Sequence, residues 1–77
     1  MQIFARVPGR TLVLSVEPWF TGRDVKEMIC WREGIPMEIM WLSTGSRVVL
    51  DEERLDDRDV GPDSTVWVHI RAGGIHM

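Results

Sequence analysis

The chain has 77 residues, of which 44% are hydrophobic and 27% charged, and it carries a net charge of −3. That length makes one small domain, hiding only roughly 60% of its unfolded surface on folding. The composition excludes a disordered chain, and the acidic balance offers no general field for nucleic acid or anionic lipid. The single cysteine, Cys30, leaves no internal disulfide, and no apolar run nears the roughly 20 residues of a membrane span. No charged n-region followed by an apolar core stands at the N-terminus, so a cytoplasmic or nuclear setting is expected.

The opening "MQIFARV" alternates, with Met1, Ile3, Ala5 and Val7 on one face and Gln2, Phe4 and Arg6 on the other. Such a period of two predicts a half-buried strand. "PGR" supplies a turn, and "TLVLSVE" alternates again with Leu12, Leu14 and Val16 in phase, which makes a hairpin. Pro18 stops the second strand. Thr21 then caps a helix, with Asp24 three residues on as the reciprocal partner of a capping box. Val25, Met28, Ile29 and Arg32 mark one helical stripe, with Trp31 off it. Gly34 ends the helix as a left-handed cap, and Pro36 prevents its resumption.

Three further strands are predicted: "EIMWLST", "RVVL" after the Gly45-Ser46 turn, and "STVWVHIRA". In the last, Val66, Val68 and Ile70 share one face, while Trp67, His69 and Arg71 share the other. Between these final strands lies "DEERLDDRDVGPD", with seven acids against two arginines, interrupted by the apolar anchors Leu55 and Val60. It reads as a solvated connection, and alternatively as a docking face for a basic partner. The order β-β-α-β-β-β predicts an α+β domain with one helix packed across a mixed sheet.

That order, with "MQIF" at the start, "VEP" at 16–18, "VK" at 25–26, "EGIP" at 33–36 and "ST" at 64–65, resembles the ubiquitin family. The resemblance runs from Met1 to about Arg71, with one residue missing at the Pro8-Gly9 turn. It implies a β-grasp domain over residues 1–71 and a flexible tail over 72–77. The implied core is Ile3, Ala5, Leu12, Leu14, Val16, Val25, Ile29, Leu42, Val49, Leu55, Val60, Val66 and Val68. Lys26 and Asp51 match a lysine and aspartate that pair beneath the family's surface. Gly22 stands where the family has a core isoleucine, a loss of a few kcal/mol if nothing compensates. Trp19 or Phe20 is expected to fold over that gap.

The departures from the family bear on function. Its apolar recognition patch on the outer sheet face is replaced here by Pro8 or the missing turn residue, Ser43, His69 and Trp67. If the third and fifth strands pair antiparallel as in the family, Trp41 lies opposite His69 and Ser43 opposite Trp67. The expected protein-binding face is therefore Trp41, Ser43, Arg47, Trp67 and His69, since grouped exposed aromatics are favoured anchors. The alternative is that each tryptophan merely shields its neighbour's backbone. The family's chain-linking lysines are replaced by Arg6, Arg10, Met28, Arg32, Arg47 and Pro62, leaving only Lys26. Arginine keeps the charge but is not acylated by this chemistry, so polymer chains of the ubiquitin type are not expected.

The terminal "RAGGIHM" resembles a family tail, with Arg71 matching an arginine used in recognition by activating enzymes. Gly73 and Gly74 would supply the slim end whose carboxylate is activated, since any Cβ would block the narrow channel. The stretch between arginine and glycines is shorter than in the family, and Ile75, His76 and Met77 would have to be removed. Two readings follow. One is a small protein modifier conjugated through Gly74, with activating and conjugating enzymes as partners. The other is a non-conjugated interaction domain, the N-terminal part of a longer protein, bound by receptors of such domains. Because the chain opens at the family's first residue and ends just past the di-glycine, the modifier is the favoured expectation. A monomer without nucleic-acid or membrane partners is expected. No enzyme, cofactor or metal site is expected either: one cysteine and two histidines make neither a convincing metal cluster nor a nucleophile-base pair.

Overall fold

The computed structural model describes residues 1–71. Strands β1 (Gln2–Val7) and β2 (Arg10–Ser15) form the opening hairpin, followed by helix α1 (Gly22–Glu33). Strands β3 (Met40–Thr44), β4 (Arg47–Val49) and β5 (Thr65–Ile70) complete a five-stranded sheet ordered β2-β1-β5-β3-β4. β1 pairs antiparallel with β2 and parallel with β5, while β3 pairs antiparallel with both β4 and β5. The mixed sheet carrying one helix is the α+β arrangement expected from the element order.

Each turn has a local cause. Gly9 connects the first hairpin at φ +91° and Gly45 the second at φ +57°, conformations that L side chains rarely adopt. The helix opens on a complete capping box. Thr21 Oγ1 accepts from the Asp24 backbone N–H at 3.3 Å, and the Thr21 N–H donates to Asp24 Oδ2 at 2.9 Å. Two N–H groups at the helix start that lack helical partners are thereby satisfied. Gly34 closes the helix at φ +74°, its N–H donating to the Cys30 carbonyl at 2.8 Å.

All thirteen residues of the expected core are buried, and Val7 and Met40 join them. On the helix, Val25 and Ile29 are fully buried and Met28 packs half-buried against the cluster. Arg32 differs from its expected place on that stripe. It is exposed, and its Nη1 donates to the Val13 carbonyl on the edge strand β2 at 3.0 Å. Strand limits also differ. The segment expected to begin the third strand at Glu38 forms a short 3-10 turn over Met37–Ile39, and pairing starts only at Met40. Pro36 sets this up: it enters the turn at φ −61° and ψ 138°, and its carbonyl accepts from the Ile39 N–H at 3.3 Å.

Gly22 departs most from expectation. There is no gap to fill, because the backbone of Leu50 occupies the space. A Cβ on Gly22 would press into the Leu50 carbonyl oxygen and lie 3.1 Å from its carbonyl carbon. The approach is held by hydrogen bonds: Gly22 N–H to the Glu53 carbonyl at 3.0 Å and Arg23 N–H to the Asp51 carbonyl at 3.1 Å. Trp19, expected as a possible cover, is 59% exposed, while Phe20 packs half-buried against the core.

The acidic stretch 51–63 is stitched to the body. Leu55 N–H donates to the Phe20 carbonyl at 2.8 Å and Asp56 N–H to the Pro18 carbonyl at 3.0 Å, with Leu55 and Val60 buried as anchors. Asp63 N–H donates to the Gln2 carbonyl at 2.8 Å, tying the far end of the stretch to β1.

A candidate protein-binding face on the sheet

The helix covers one side of the sheet, so the outward residues of the central strands form an open surface. Register assembles them. Trp41 on β3 lies opposite His69 on β5, and Ser43 lies opposite Trp67. In the parallel ladder Arg6 of β1 is level with Trp67. On the other side Val48 of β4 is level with Ser43. One row across the sheet is therefore Arg6, Trp67, Ser43 and Val48, flanked by the His69–Trp41 pair.

These side chains are ordered by one another. The Trp41 and His69 rings stack with centroids 3.9 Å apart and planes 17° from parallel. His69 Nε2 and Ser43 Oγ are hydrogen-bonded at 2.8 Å. Among the described residues Ser43 is the buried polar one, and this bond satisfies it while fixing the imidazole against the indole. The Arg6 guanidinium sits over Trp67, with Cζ 5.0 Å from the ring centroid, within cation–π range. Even so, Trp41 remains 37% exposed and Trp67 42% exposed. The surface thus combines two held aromatic rings with cationic and neutral polar neighbours, and none of its residues is acidic.

Arg47 does not belong to that row. It pairs with Thr44 at the end of the β3–β4 hairpin, in phase with the buried Val49 rather than with Trp41 and Ser43. Val48, 44% exposed, takes the place beside Ser43. Sequence reasoning missed Val48 and Arg6. The alternation within "RVVL" was the available signal for the first. No local pattern could have shown the second, because Arg6 and Trp67 are far apart in the chain.

The other residues singled out from the sequence lie elsewhere. Lys26 Nζ is 2.7 Å from Asp51 Oδ1, with the lysine side chain 13% exposed and the aspartate 35% exposed. This pair lies with the Gly22–Leu50 contact at the start of the helix. Beside it, Glu53 pairs with Arg58 and accepts from the Leu50 N–H at 2.7 Å. The hydrogen bond from Arg58, followed by that from Leu50, holds the Glu53 carboxyl below the usual carboxylate range. Cys30 is a free, half-buried thiol on the helix. Among the described residues no group of three His, Cys, Asp or Glu side chains is placed to hold a metal ion. No helix there is long and apolar enough to cross a membrane. Arg71 is exposed, and its N–H donates to the Ile39 carbonyl at 2.7 Å just past the end of β5. Gly73 and Gly74 lie outside the described residues, as does the whole of 72–77.

A mixed five-stranded sheet wrapped around one helix, entered by a β-hairpin and completed by a parallel β1–β5 pair, defines a β-grasp domain. The model of the Ubiquitin family matches residues 3–73, nearly the whole chain, and the chain belongs to that family.

Proposed function

We propose that this ubiquitin-like chain is a small protein modifier, joined through Gly74 after residues 75–77 are removed, and recognised non-covalently through its outer sheet face. The observation that carries the recognition half is the ordered aromatic surface. Trp41 is held by His69 and Ser43, and Trp67 by Arg6, yet both rings stay open to solvent. Rings already fixed in place lose little freedom on binding, which suits them as anchors for a partner. The charge of the surface favours partners with neutral or acidic contact segments. Membership of the ubiquitin family and the Gly73-Gly74 pair support the conjugation half. The replacement of the family's linking lysines supports attachment as a single unit rather than as a polymer.

A second reading is favoured by the shortened segment between Arg71 and the glycines. In it the domain is not conjugated and acts through the sheet face alone. Protein ending at Gly74, mixed with activating enzymes of the family, tests the first reading: a thioester appears as a gel shift that a reducing agent removes. Absence of the shift with every such enzyme defeats conjugation. If partners captured by the intact protein are still lost on Trp67→Ala, the second reading stands. Capture that survives both Trp67→Ala and Trp41→Ala defeats the binding face itself.

A further inference from the structure

The remaining two tryptophans lie away from the sheet face, against the exposed flank of the helix. Trp31 is 89% exposed and Trp19 is 59% exposed. Together with Phe20, Asp24, Glu27 and Met28 they line a groove of about 440 Å³. Asp24, Glu27, Met28 and Trp31 follow one another at helical i, i+3 and i+4 steps, so they form one continuous stripe beside the buried one. Two indole rings left this open on a small domain are unusual unless something covers them.

The charge of the groove says what would cover it. Its lining has two carboxylates and no cation. Glu27 makes no ion pair among the described residues, and Asp24 uses only Oδ2 in bonding Thr21. The neighbouring cations are committed elsewhere: Lys26 to Asp51, Arg23 to Glu52, Arg54 to Asp56, and Arg32 to the Val13 carbonyl. The Asp56 N–H donates to the Pro18 carbonyl beside Trp19, but the Asp56 carboxylate is itself paired with Arg54, so the free charge of the groove rests on Glu27 and Asp24. The site therefore has aromatic faces, an uncompensated negative charge and an open mouth.

From this we propose that the groove between Trp19 and Trp31 binds an arginine side chain presented by a basic segment of a protein partner. A guanidinium stacks flat on an indole while its N–H fork reaches a carboxylate, a combination that a lysine ammonium matches less well. Here the ring is supplied by Trp31 or Trp19 and the carboxylate by Glu27, one helical turn before Trp31. A second copy of the chain suits the groove poorly. It carries a net charge of −3, the same sign as the groove. Most of its arginines are engaged: Arg6 over Trp67, Arg10, Arg23, Arg54 and Arg58 with Glu33, Glu52, Asp56 and Glu53, and Arg32 on the Val13 carbonyl, which leaves Arg47 and Arg71 among the described residues.

A short glycine-serine peptide with a central arginine, titrated into the isotope-labelled full chain, tests the proposal by NMR. Shift changes are expected at the Trp31 and Trp19 indoles and around Glu27, with weaker binding at higher salt. Lysine in place of the arginine should bind more weakly, and glutamate should not bind. Trp31→Ala should lower affinity about tenfold and Glu27→Gln about threefold. Because Trp31 is exposed, the melting curve of its variant should match the parent and show that the fold is intact. Equal binding of the arginine and glutamate peptides overturns the proposal, as do shifts confined to the sheet face or affinities unmoved by both substitutions. Self-association that disappears in Trp31→Ala also overturns it, by making a second copy the occupant.

Discussion

The start of the helix and the outer face of the sheet use their residues in opposite ways. At the helix start, Gly22 lets the Leu50 backbone come into contact, Lys26 is paired with Asp51, and Glu53 with Arg58. The Gly22 and Arg23 N–H groups and the Lys26 ammonium bond to Glu53 and Asp51 and so fix the 51–53 segment against the helix. On the sheet, large rings face solvent and are steadied only by neighbours on the same surface. The difference teaches that stability and recognition are separable in this domain: substitutions in the first region should unfold it, and those in the second should leave a folded protein with altered binding.

The comparison is broken most directly by emptying its first region. Leu55→Ala, at a fully buried anchor of the acidic stretch, should lower stability by about 3–4 kcal/mol in denaturant titration. Gly22→Ala comes next, at about 2–3 kcal/mol, because the new methyl meets backbone rather than a side chain that can move aside. If Gly22→Ala, or the family-like Gly22→Ile, proved neutral or stabilising, the close approach of Leu50 would be wrong. Asp51→Asn should cost about 1–2 kcal/mol by leaving Lys26 without its counter-charge, less than for a fully buried pair because Asp51 is partly exposed.

A pH titration sharpens the same contrast. The Glu53 carboxyl lies below its ordinary range because of Arg58, so its contribution is present above that range. It is lost as pH falls through the depressed value. Melting temperatures of the parent and Glu53→Gln should therefore differ at neutral pH and converge in strong acid. A gap that persists in acid would show that Glu53 acts by packing alone. The smallest effect on stability belongs to the sheet face: Trp67→Ala should stay within about 1 kcal/mol of the parent, yet weaken partner binding by about tenfold or more. A large loss of stability there would mean that the ring holds the sheet together instead of serving a partner.

Much of this was legible in the chain. Period-two alternation marked β1, β2 and β5, and the Thr21–Asp24 spacing marked the helix start, because those signals lie within a few neighbouring residues. Trp41 facing His69 and Ser43 facing Trp67 followed once β3 and β5 were taken as antiparallel, as in the resembling family. The 3-10 turn at Met37–Ile39 was missed, since its apolar residues suit a strand equally well and only their place after Pro36 favours the turn. Arg47 was expected at the edge of the binding face, on the solvent side of the sheet. The hairpin register instead brings Val48 beside Ser43.

The sequence by itself determined which residues are apolar and in phase, and hence the elements, the core and the outward set of aromatics. Only the tertiary structure decided what Gly22 is for. A missing side chain reads as a hole from the sequence, whereas in space the Leu50 backbone, thirty positions away in rough terms, has moved into that volume. It alone decided also that the four tryptophans divide into two groups, one beside the Arg6 guanidinium and one among carboxylates. Charge around a ring is a sum over neighbours in three dimensions, and most of those neighbours come from distant parts of the chain.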